Sequence, residues 1–304
     1  MGTPSFAVNS LAALLDAAHD VAAVVTQPDR PSGRGRPVGA PAVKKLALAR
    51  GIPVEQPEKL RDPAFLARLR GTAPDAFVVA AYGKILPKAL LDLPPRGAIN
   101  VHGSLLPKYR GAAPIQRAIL AGEKKTGVTI MRMNERMDAG DILLQREMPI
   151  LPDDTGESLG ARMAKVGADA LLEALALLER GELHATPQLE SEATLAPMIR
   201  KEEGEIDWKR SASEIERAVR AFHPWPGAWT RLRGKLLKLR RAAVAPHADA
   251  PPGTVVEARG ETIRVATGDG TLACGELQLE GKRAMDAREL VSGRLVRDGE
   301  RLGR

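Results

Sequence analysis

The chain of 304 residues is longer than a single compact domain usually needs, and 44% hydrophobic residues suffice for a sizeable core. Its single cysteine, Cys274, excludes an intramolecular disulfide and a multi-cysteine metal centre, and we predict no bound metal. The net charge of +7 is mild for this length, and apolar runs such as residues 76–81 fall far short of the roughly 20 residues that cross a bilayer.

The first residues show no targeting signal. A basic leader followed by an apolar block is missing, and Phe6 stands where a myristoylation signal requires Ser or Thr. We therefore predict a cytoplasmic protein with no membrane partner and no obligate protein partner.

Short apolar runs alternate with helical stretches over the first two hundred residues. Runs rich in Val and Ile, bounded by turn residues, predict strands at residues 21–26, 76–80, 98–102, 127–131 and 142–145. Proline in the first turn predicts helices over residues 41–49, 63–69 and 114–121, and a capping box at Asp154 and Glu157 begins a longer helix at 154–180. This alternation predicts an α/β domain over residues 1–181 with a mostly parallel sheet.

The pattern changes after Gly181. Residues 182–204 are polar and aperiodic and predict a linker, which separates the first domain from residues 205–304. In this second domain a predicted helix over residues 212–221 is followed by short strands at 235–239, 253–258, 262–267 and 275–279. Four or five short strands predict a small closed β-barrel, for which an oligonucleotide-binding (OB) type fold is our first expectation.

A basic stripe runs through residues 230–241, which carry six cations and no acid. Alternation with period two places several of them, Arg231 and Arg233 included, on one strand face. Such a face suits a nucleic-acid phosphate backbone. An edge strand whose cations discourage aggregation between sheets explains the pattern equally well.

Asn100 and His102 are the strongest candidates for chemistry. They lie two residues apart in a predicted strand, so both point to one face at its carboxyl end, where open α/β sheets bind ligands. An amide donor beside an imidazole suits acyl transfer, in which a carbonyl oxygen becomes an oxyanion. Alone, Asn100 is typical of a strand-end turn and His102 of a core histidine. Asp138, in a loop after the strand at 127–131, adds a carboxylate that can orient His102, although an ordinary Asx turn also explains it.

These residues stand in a recognisable sequence. The run Asn100-x-His102-Gly-Ser104-Leu105-Leu106-Pro107, followed by Asp138-x-Gly-Asp, resembles the motif of the formyltransferases that use 10-formyltetrahydrofolate. Further segments resemble the members of that family that formylate methionyl-tRNA, at residues 2–7, 27–35, 81–87, 111–116, 206–208 and 222–226. The resemblance therefore covers nearly the whole chain.

The resemblance implies a Rossmann-like catalytic domain that binds 10-formyltetrahydrofolate as the formyl donor, and a C-terminal barrel that helps to hold initiator methionyl-tRNA. It implies that Asn100, His102 and Asp138 are the catalytic residues. The folate contact is carried over to four consecutive residues, Ser104, Leu105, Leu106 and Pro107. The expected reaction is formylation of the methionyl amino group for translation initiation.

The loop at residues 29–37 carries Arg30, Arg34 and Arg36 among glycines and prolines. A solvated surface loop explains this composition. The loop also follows the strand at 21–26 and so opens near the predicted catalytic edge, where arginines on a flexible backbone suit an irregular RNA end. The resemblance assigns it to the tRNA acceptor arm, with Arg34 as the matching arginine.

Two other functions fit parts of the pattern. A formyltransferase that acts on an amino sugar nucleotide shares the catalytic motif and can carry a second barrel domain. An RNA-binding protein that has lost catalysis fits the basic segments, but it has no need of Asn100, His102 and Asp138. The basic loop and the Gly-Ala-Ala-Pro run at 111–114 favour tRNA as the acceptor.

The beginning of the chain departs from the family. Its members usually place an apolar strand ahead of Gly-Thr-Pro, whereas Met1 here directly precedes residues 2–4. In a doubly wound sheet the first strand is interior and pairs on both edges. We therefore expect the natural start to lie upstream and the sheet of residues 1–304 to lack its first strand.

Overall fold

A computed structural model of the protein describes residues 1–31 and 38–303. Contacts between residues divide it into two compact units. The first comprises residues 1–114, 125–149 and 160–197, and the second comprises residues 115–124, 150–159 and 198–304. The domain limits expected from the sequence, 1–181 and 205–304 with a linker between them, stay a prediction.

The described residues form eight α-helices, which we number in chain order. They are α1 (Phe6–Asp16), α2 (Ala42–Ala49), α3 (Pro63–Gly71), α4 (Lys88–Leu91), α5 (Pro114–Ala121), α6 (Gly156–Arg180), α7 (Ala212–Ala221) and α8 (Ala287–Ser292). The start of α3 shows why the sequence signals helix here. Pro63 occupies the first turn, and the carboxylate of Asp62 accepts hydrogen bonds from the backbone N–H groups of Ala64 and Phe65.

The strands are numbered in the same way. In the first unit they are β1 (Val24–Val25), β2 (Arg30–Pro31), β3 (Val38–Gly39), β4 (Val54–Glu55), β5 (Phe77–Ala80), β6 (Ala98–His102), β7 (Lys125–Arg132) and β8 (Ile142–Pro149). In the second unit they are β9 (Ala228–Leu232), β10 (Lys235–Ala245), β11 (Val255–Arg259), β12 (Thr262–Ala266), β13 (Thr271–Leu279) and β14 (Ala284–Asp286).

The first unit contains a two-stranded sheet of β1 and β4, a two-stranded sheet of β2 and β3, and a four-stranded sheet ordered β5-β6-β7-β8. β1 pairs with β4 and β5 pairs with β6 in parallel, whereas β6, β7 and β8 pair antiparallel. β7 and β8 pair antiparallel because the loop at residues 133–141 returns β8 directly alongside β7. The predicted α/β architecture is confirmed, with an antiparallel edge that the sequence pattern did not indicate.

β6 lies between β5 and β7, and all five of its residues are buried. Burial of every residue, the polar Asn100 and His102 included, is typical of a strand covered on both faces. On one face α6 approaches closely, since a Cβ atom on Gly167 would lie 2.9 Å from Cγ1 of Val101. Packing on its faces therefore holds β6 in place, and Asn100 and His102 lie toward its carboxyl end.

Met1 and Gly2 join the two halves of the first unit. Gly2 forms an isolated parallel bridge with Ala80 and donates its N–H to the carbonyl of Val25 at 3.0 Å. The N–H of Ala80 donates to the carbonyl of Met1 at 2.9 Å. A cavity of about 430 Å³ adjoins these residues, with Leu11 in its lining. Two residues of backbone thus lie in the position where the sequence led us to expect a missing strand.

The N-terminus of α6 is capped differently from the prediction. Thr155 and Ser158 form the reciprocal pair, in which each backbone N–H donates to the hydroxyl of the other residue. Asp154 instead accepts hydrogen bonds from the backbone of Leu151 and the hydroxyl of Ser158. Glu157 therefore does not serve as the capping partner.

The second unit contains a small antiparallel barrel. Its strands are ordered β11-β12-β13-β10-β9, and β14 pairs with β13. The free edges of β9 and β11 meet at the C-terminal segment, where Leu302 bridges Leu232 and Arg301 bridges Thr254. Apolar side chains such as Leu237 fill the interior. The predicted small β-domain is confirmed, although residues 230–241 form a hairpin, β9 and β10, rather than one strand.

None of the helices in the described part of the chain is both long enough and apolar enough to span a bilayer.

Candidate active site

Asn100 and His102 lie on the same face of β6, as the sequence predicted, and are 8% and 5% exposed. Antiparallel pairing sets Asn100 opposite Met131 and His102 opposite Thr129 on β7. Among the residues that the structure describes, the side-chain amide of Asn100 has no hydrogen-bond partner. The amide is therefore available to a ligand that reaches this end of the strand.

His102 has an acceptor at each ring nitrogen. Nε2 lies 3.0 Å from the carbonyl oxygen of Tyr109, and Nδ1 lies 3.7 Å from Oδ2 of Asp138. A carbonyl oxygen can only accept, so Nε2 carries a hydrogen. Nδ1 faces a carboxylate beyond hydrogen-bonding distance but within reach of an ion pair. The carbonyl of Tyr109 and the carboxylate of Asp138 together fix the orientation of the ring.

Asp138 lies in the loop between β7 and β8, and the structure brings it to His102 as predicted. Its Oδ2 accepts a hydrogen bond from the backbone N–H of Gly111 at 2.9 Å, and its backbone has a φ of 48°. A positive φ is uncommon for a residue with a Cβ atom, so other contacts must hold this conformation. Oδ1 has no hydrogen-bond partner among the described residues.

The residues that hold the side chains of His102 and Asp138 in place were not predicted from the sequence. The buried Arg110 lies between Tyr109 and Gly111, and its guanidinium binds Gln188, which lies in the predicted linker. Gln188 in turn donates to the carbonyl oxygen of Asp138 at 2.9 Å. A polar, aperiodic segment carries no pattern that predicts such contacts. The only indication in the sequence was that Arg110 stands next to Gly111, shortly after the motif of residues 100–107.

The predicted folate loop, Ser104 to Pro107, adjoins the carboxyl end of β6. The hydroxyl of the buried Ser104 donates to the carbonyl of Lys108 at 2.6 Å. The backbone N–H of Leu106 donates to Thr129 Oγ1 at 3.0 Å, and its carbonyl accepts from Gln145 at 2.8 Å. These hydrogen bonds hold the backbone of the loop in one conformation.

Leu105 and Pro107 are half-buried, so they offer the accessible surface of this loop. A Cβ atom on Gly127 would lie 2.5 Å from Cδ2 of Leu105, so the glycine of β7 makes room for that side chain.

The predicted tRNA contacts fall into two groups. Arg34 and Arg36 lie outside the described residues, and for Arg30 the structure describes the backbone, in β2. Arg231 is exposed on β9 and binds the carbonyl of Gly234 at 3.1 Å, and no carboxylate of the described residues pairs with it.

Arg233 differs from Arg231. It lies in the turn after β9 with a φ of 50°, and its Nε donates to Glu300 at 3.0 Å. The charge of Arg233 is therefore compensated within the chain, whereas that of Arg231 is not.

Comparison with known proteins identifies the family. The profile of the family described as formyl transferase matches residues 1–175, and that of the formyl transferase C-terminal domain matches residues 198–295. The chain is 52% identical over 299 residues to a methionyl-tRNA formyltransferase of Myxococcus xanthus (strain DK1622), covering 98% of this chain and 95% of the relative. It is equally 52% identical over 306 residues to a protein of the same name from Koribacter versatilis (strain Ellin345), covering 100% and 97%.

Among solved structures, WlaRD, a sugar 3N-formyl transferase in the presence of dTDP and 5-N-formyl-THF, superposes with a TM-score of 0.67. The superposition covers 93% of this chain and 97% of that chain at 20% identity, and so shows a shared fold. The matches at 52% identity run along almost the full length of both sequences. The chain therefore belongs to the methionyl-tRNA formyltransferase family.

Proposed function

We propose that the chain transfers the formyl group of 10-formyltetrahydrofolate to the amino group of methionine esterified to initiator tRNA, and so prepares that tRNA for translation initiation. The observation that carries the proposal is the 52% identity to the Myxococcus xanthus relative over 98% of the chain. Membership of the formyl transferase family supports the folate donor. The name shared by the full-length relatives supports the acceptor.

The reaction forms a bond between the methionyl nitrogen and the formyl carbon and breaks the bond between that carbon and N10 of the folate. The amine gives up a proton, N10 takes one, and negative charge builds up on the formyl oxygen on the way. The folate is a co-substrate that supplies the carbon and the leaving group. The protein must stabilise the oxygen and handle the proton.

Asn100 and His102 stabilise the negative charge in our proposal. The Asn100 amide, which has no partner among the described residues, donates a hydrogen bond to the developing oxyanion. His102, protonated or as a hydrogen-bond donor, stabilises the same charge from the same strand face. Burial of both residues strengthens these interactions because little water competes with them.

Asp138 orients His102 and helps to remove the proton from the attacking amine. Its two oxygens suit different tasks. Oδ2 is fixed by the N–H of Gly111 and faces Nδ1 of His102, whereas Oδ1 has no partner in the described part of the chain. Oδ1 is therefore the atom that we assign to the amine proton.

The loop of residues 104–107 receives the folate donor. Its internal hydrogen bonds, made by Ser104 and Leu106, support a preformed shape. The half-buried Leu105 and Pro107 then offer apolar surface beside the catalytic end of β6. A rigid loop of this kind lowers the entropic cost of binding.

For the tRNA we retain the assignment made from the sequence. Arg30, Arg34 and Arg36 contact the acceptor arm, and the barrel contributes Arg231 and Arg233. Of the last two, Arg231 is the stronger candidate because Glu300 already pairs with Arg233. We place the reaction in the cytoplasm, without an obligate protein partner.

Three acceptors distinguish the proposed function from its alternatives. The protein should be incubated with 10-formyltetrahydrofolate and, separately, charged initiator methionyl-tRNA, the same tRNA uncharged, and an amino sugar nucleotide. We expect formylation of the charged tRNA alone. Formylation of the sugar alone would establish the amino-sugar function, and tRNA binding without any formyl transfer would establish the inactive RNA-binding protein.

A further inference from the structure

The guanidinium of Arg110 is almost completely buried, with its side chain 6% exposed. Its Nε and Nη2 donate to Oε1 of Gln188 at 3.0 and 2.8 Å, and its Nη1 donates to Glu190 at 3.0 Å. Glu190 lies at the rim, where Arg136 also binds it at 2.9 Å. A buried cation is tolerated only with such partners, so Gln188 and Glu190 fix the position of Arg110.

Gln188 has only one possible orientation. Its Nε2 donates to the carbonyl oxygen of Asp138 at 2.9 Å and to that of Gly140 at 2.6 Å, while its Oε1 accepts from Arg110. A carbonyl cannot donate and a guanidinium cannot accept, so the amide cannot be flipped. A carboxylate would face two carbonyl oxygens, and an apolar side chain would satisfy neither side.

The two neighbours of Arg110 in the chain contact the side chains of His102 and Asp138. Tyr109 accepts from Nε2 of His102 through its carbonyl, and Gly111 donates to Oδ2 of Asp138 through its N–H. Arg110 lies between them and, through Gln188, holds the loop of Asp138 from outside. Residues 109–111 and Gln188 are thus joined to one another by hydrogen bonds, and they contact both His102 and Asp138.

The segment that carries Gln188 is itself tied to the catalytic loops at both ends. Ile142, at the start of β8, exchanges backbone hydrogen bonds with Thr186 at 2.8 Å in both directions. Arg110 donates to the carbonyl of Thr194 at 2.8 Å and accepts from the N–H of Ala196 at 2.7 Å. Hydrogen bonds thus hold the segment on both sides of Gln188. They fix the position of the Gln188 side-chain amide relative to the loop of Asp138.

We propose that Gln188 is a positioning residue that, together with Arg110, sets the distance and orientation of Asp138 relative to His102 for formyl transfer. The inference rests on the proposed function, because it gives Gln188 a role in that reaction. Asp138 needs this support, since its φ of 48° is one that a residue with a Cβ atom rarely adopts unaided.

The test begins with Gln188→Met, which keeps the length of the side chain and removes both donors and the acceptor. We expect kcat to fall about 10- to 100-fold with KM for folate and tRNA unchanged, as for other residues that orient a reacting group. The matched control is Glu192→Met, on the same segment, because the exposed side chain of Glu192 has no hydrogen bond or ion pair with a described residue. This control should keep the parent kcat.

A second variant, Gln188→Glu, guards against a general loss of structure. It keeps the acceptor for Arg110, and so the anchoring of the buried cation, but it replaces both donors to the loop of Asp138. We expect a fall in kcat similar to that of Gln188→Met, with a cooperative thermal transition above the assay temperature that shows the variant is folded during the measurement. A parent kcat in Gln188→Glu would overturn the proposal.

The decisive comparison is made in an Asp138→Ala background. If Gln188 acts through Asp138, then Gln188→Met should cause no further loss there, since groups that act as a unit are strongly non-additive. The same fold-loss in both backgrounds would overturn the proposal and indicate a structural role. The Asp138→Ala single variant separates this failure from that of the proposed function: if it formylates methionyl-tRNA at the parent rate, the catalytic assignment itself is wrong.

Discussion

His102 and Asp138 face each other with 3.7 Å between Nδ1 and Oδ2, and that same carboxylate oxygen accepts the N–H of Gly111 at 2.9 Å. One oxygen thus accepts from a backbone donor and faces the imidazole to which we assign a catalytic role. The separation of the pair therefore depends on the backbone of residues 109–111, which belong to the loop between β6 and α5. Small displacements of this loop should alter the reaction without removing any catalytic group.

Gly111→Ala tests that dependence. Gly111 has a φ of 124°, and a Cβ atom there would lie 2.7 Å from the carbonyl oxygen of Ala196, so the loop must shift to accept it. We expect a loss of stability of about 1–3 kcal/mol and a lower kcat, measured by chemical denaturation and by initial rates.

Gly181→Ala is the matched control for this variant. Gly181 also has a positive φ, 73°, but nothing lies within 4 Å of the added Cβ atom. Its cost should be limited to backbone strain of about 1–2 kcal/mol, with kcat unchanged. Equal kcat values for the two variants would show that the loop at Gly111 does not control the catalytic pair.

The two arginines of the barrel should contribute unequally to tRNA binding. Within residues 1–31 and 38–303 Arg231 has no carboxylate partner, whereas Arg233 binds Glu300. Arg231→Ala should weaken binding and reduce the slope of log K against log salt by about one unit. Arg233→Ala should change the slope less, because its charge is already compensated.

The measurement is a salt titration of tRNA binding by the parent and each variant. Indistinguishable slopes for all three proteins would mean that neither arginine contacts a phosphate, and that the basic stripe is a solvated face.

Cys274 should be chemically silent in the folded protein. It is buried, and burial raises the pKa of its thiol to about 12 from an ordinary value of 9. At pH 8 the folded chain therefore holds almost no thiolate, the form that reacts. Thiol reagents should label the protein only after unfolding in denaturant.

The same pKa shift has a consequence for stability at high pH. The unfolded chain ionises Cys274 above about pH 9, while the folded chain keeps the neutral thiol until about pH 12. The contribution of the Cys274 thiol to the free energy of unfolding is present below pH 9 and is lost as the pH rises toward 12.

Rapid labelling of the native protein at pH 8 would contradict the burial of Cys274.

Much of the catalytic geometry follows from local sequence rules. The run of residues 98–102, in which Asn100 and His102 alternate with apolar residues, predicts β6 with the bounds that the structure has, and period-two alternation places Asn100 and His102 on one face. Asp138 could be found because it lies in a loop between two predicted strands. Such inferences need only the neighbouring sequence, which is why they succeeded.

The remainder depends on contacts between distant parts of the chain. Gln188 binds backbone carbonyls of Asp138 and Gly140, and any residue type has a carbonyl, so no sequence pattern marks the partners. α1 was not predicted from the sequence, and in the structure Ser5 makes no side-chain cap at its start. The closure of the barrel by Leu302 likewise depends on backbone pairing across the unit.

The central claim is that Asn100, His102 and Asp138 carry formyl transfer to methionyl-tRNA. The most direct test is single-turnover formylation of charged initiator tRNA by the parent and by His102→Ala, with 10-formyltetrahydrofolate at saturation. We predict a chemical step about 100- to 1000-fold slower in the variant, with unchanged dissociation constants for the tRNA and the folate. A His102→Ala protein that forms formylmethionyl-tRNA at the parent rate would contradict the account.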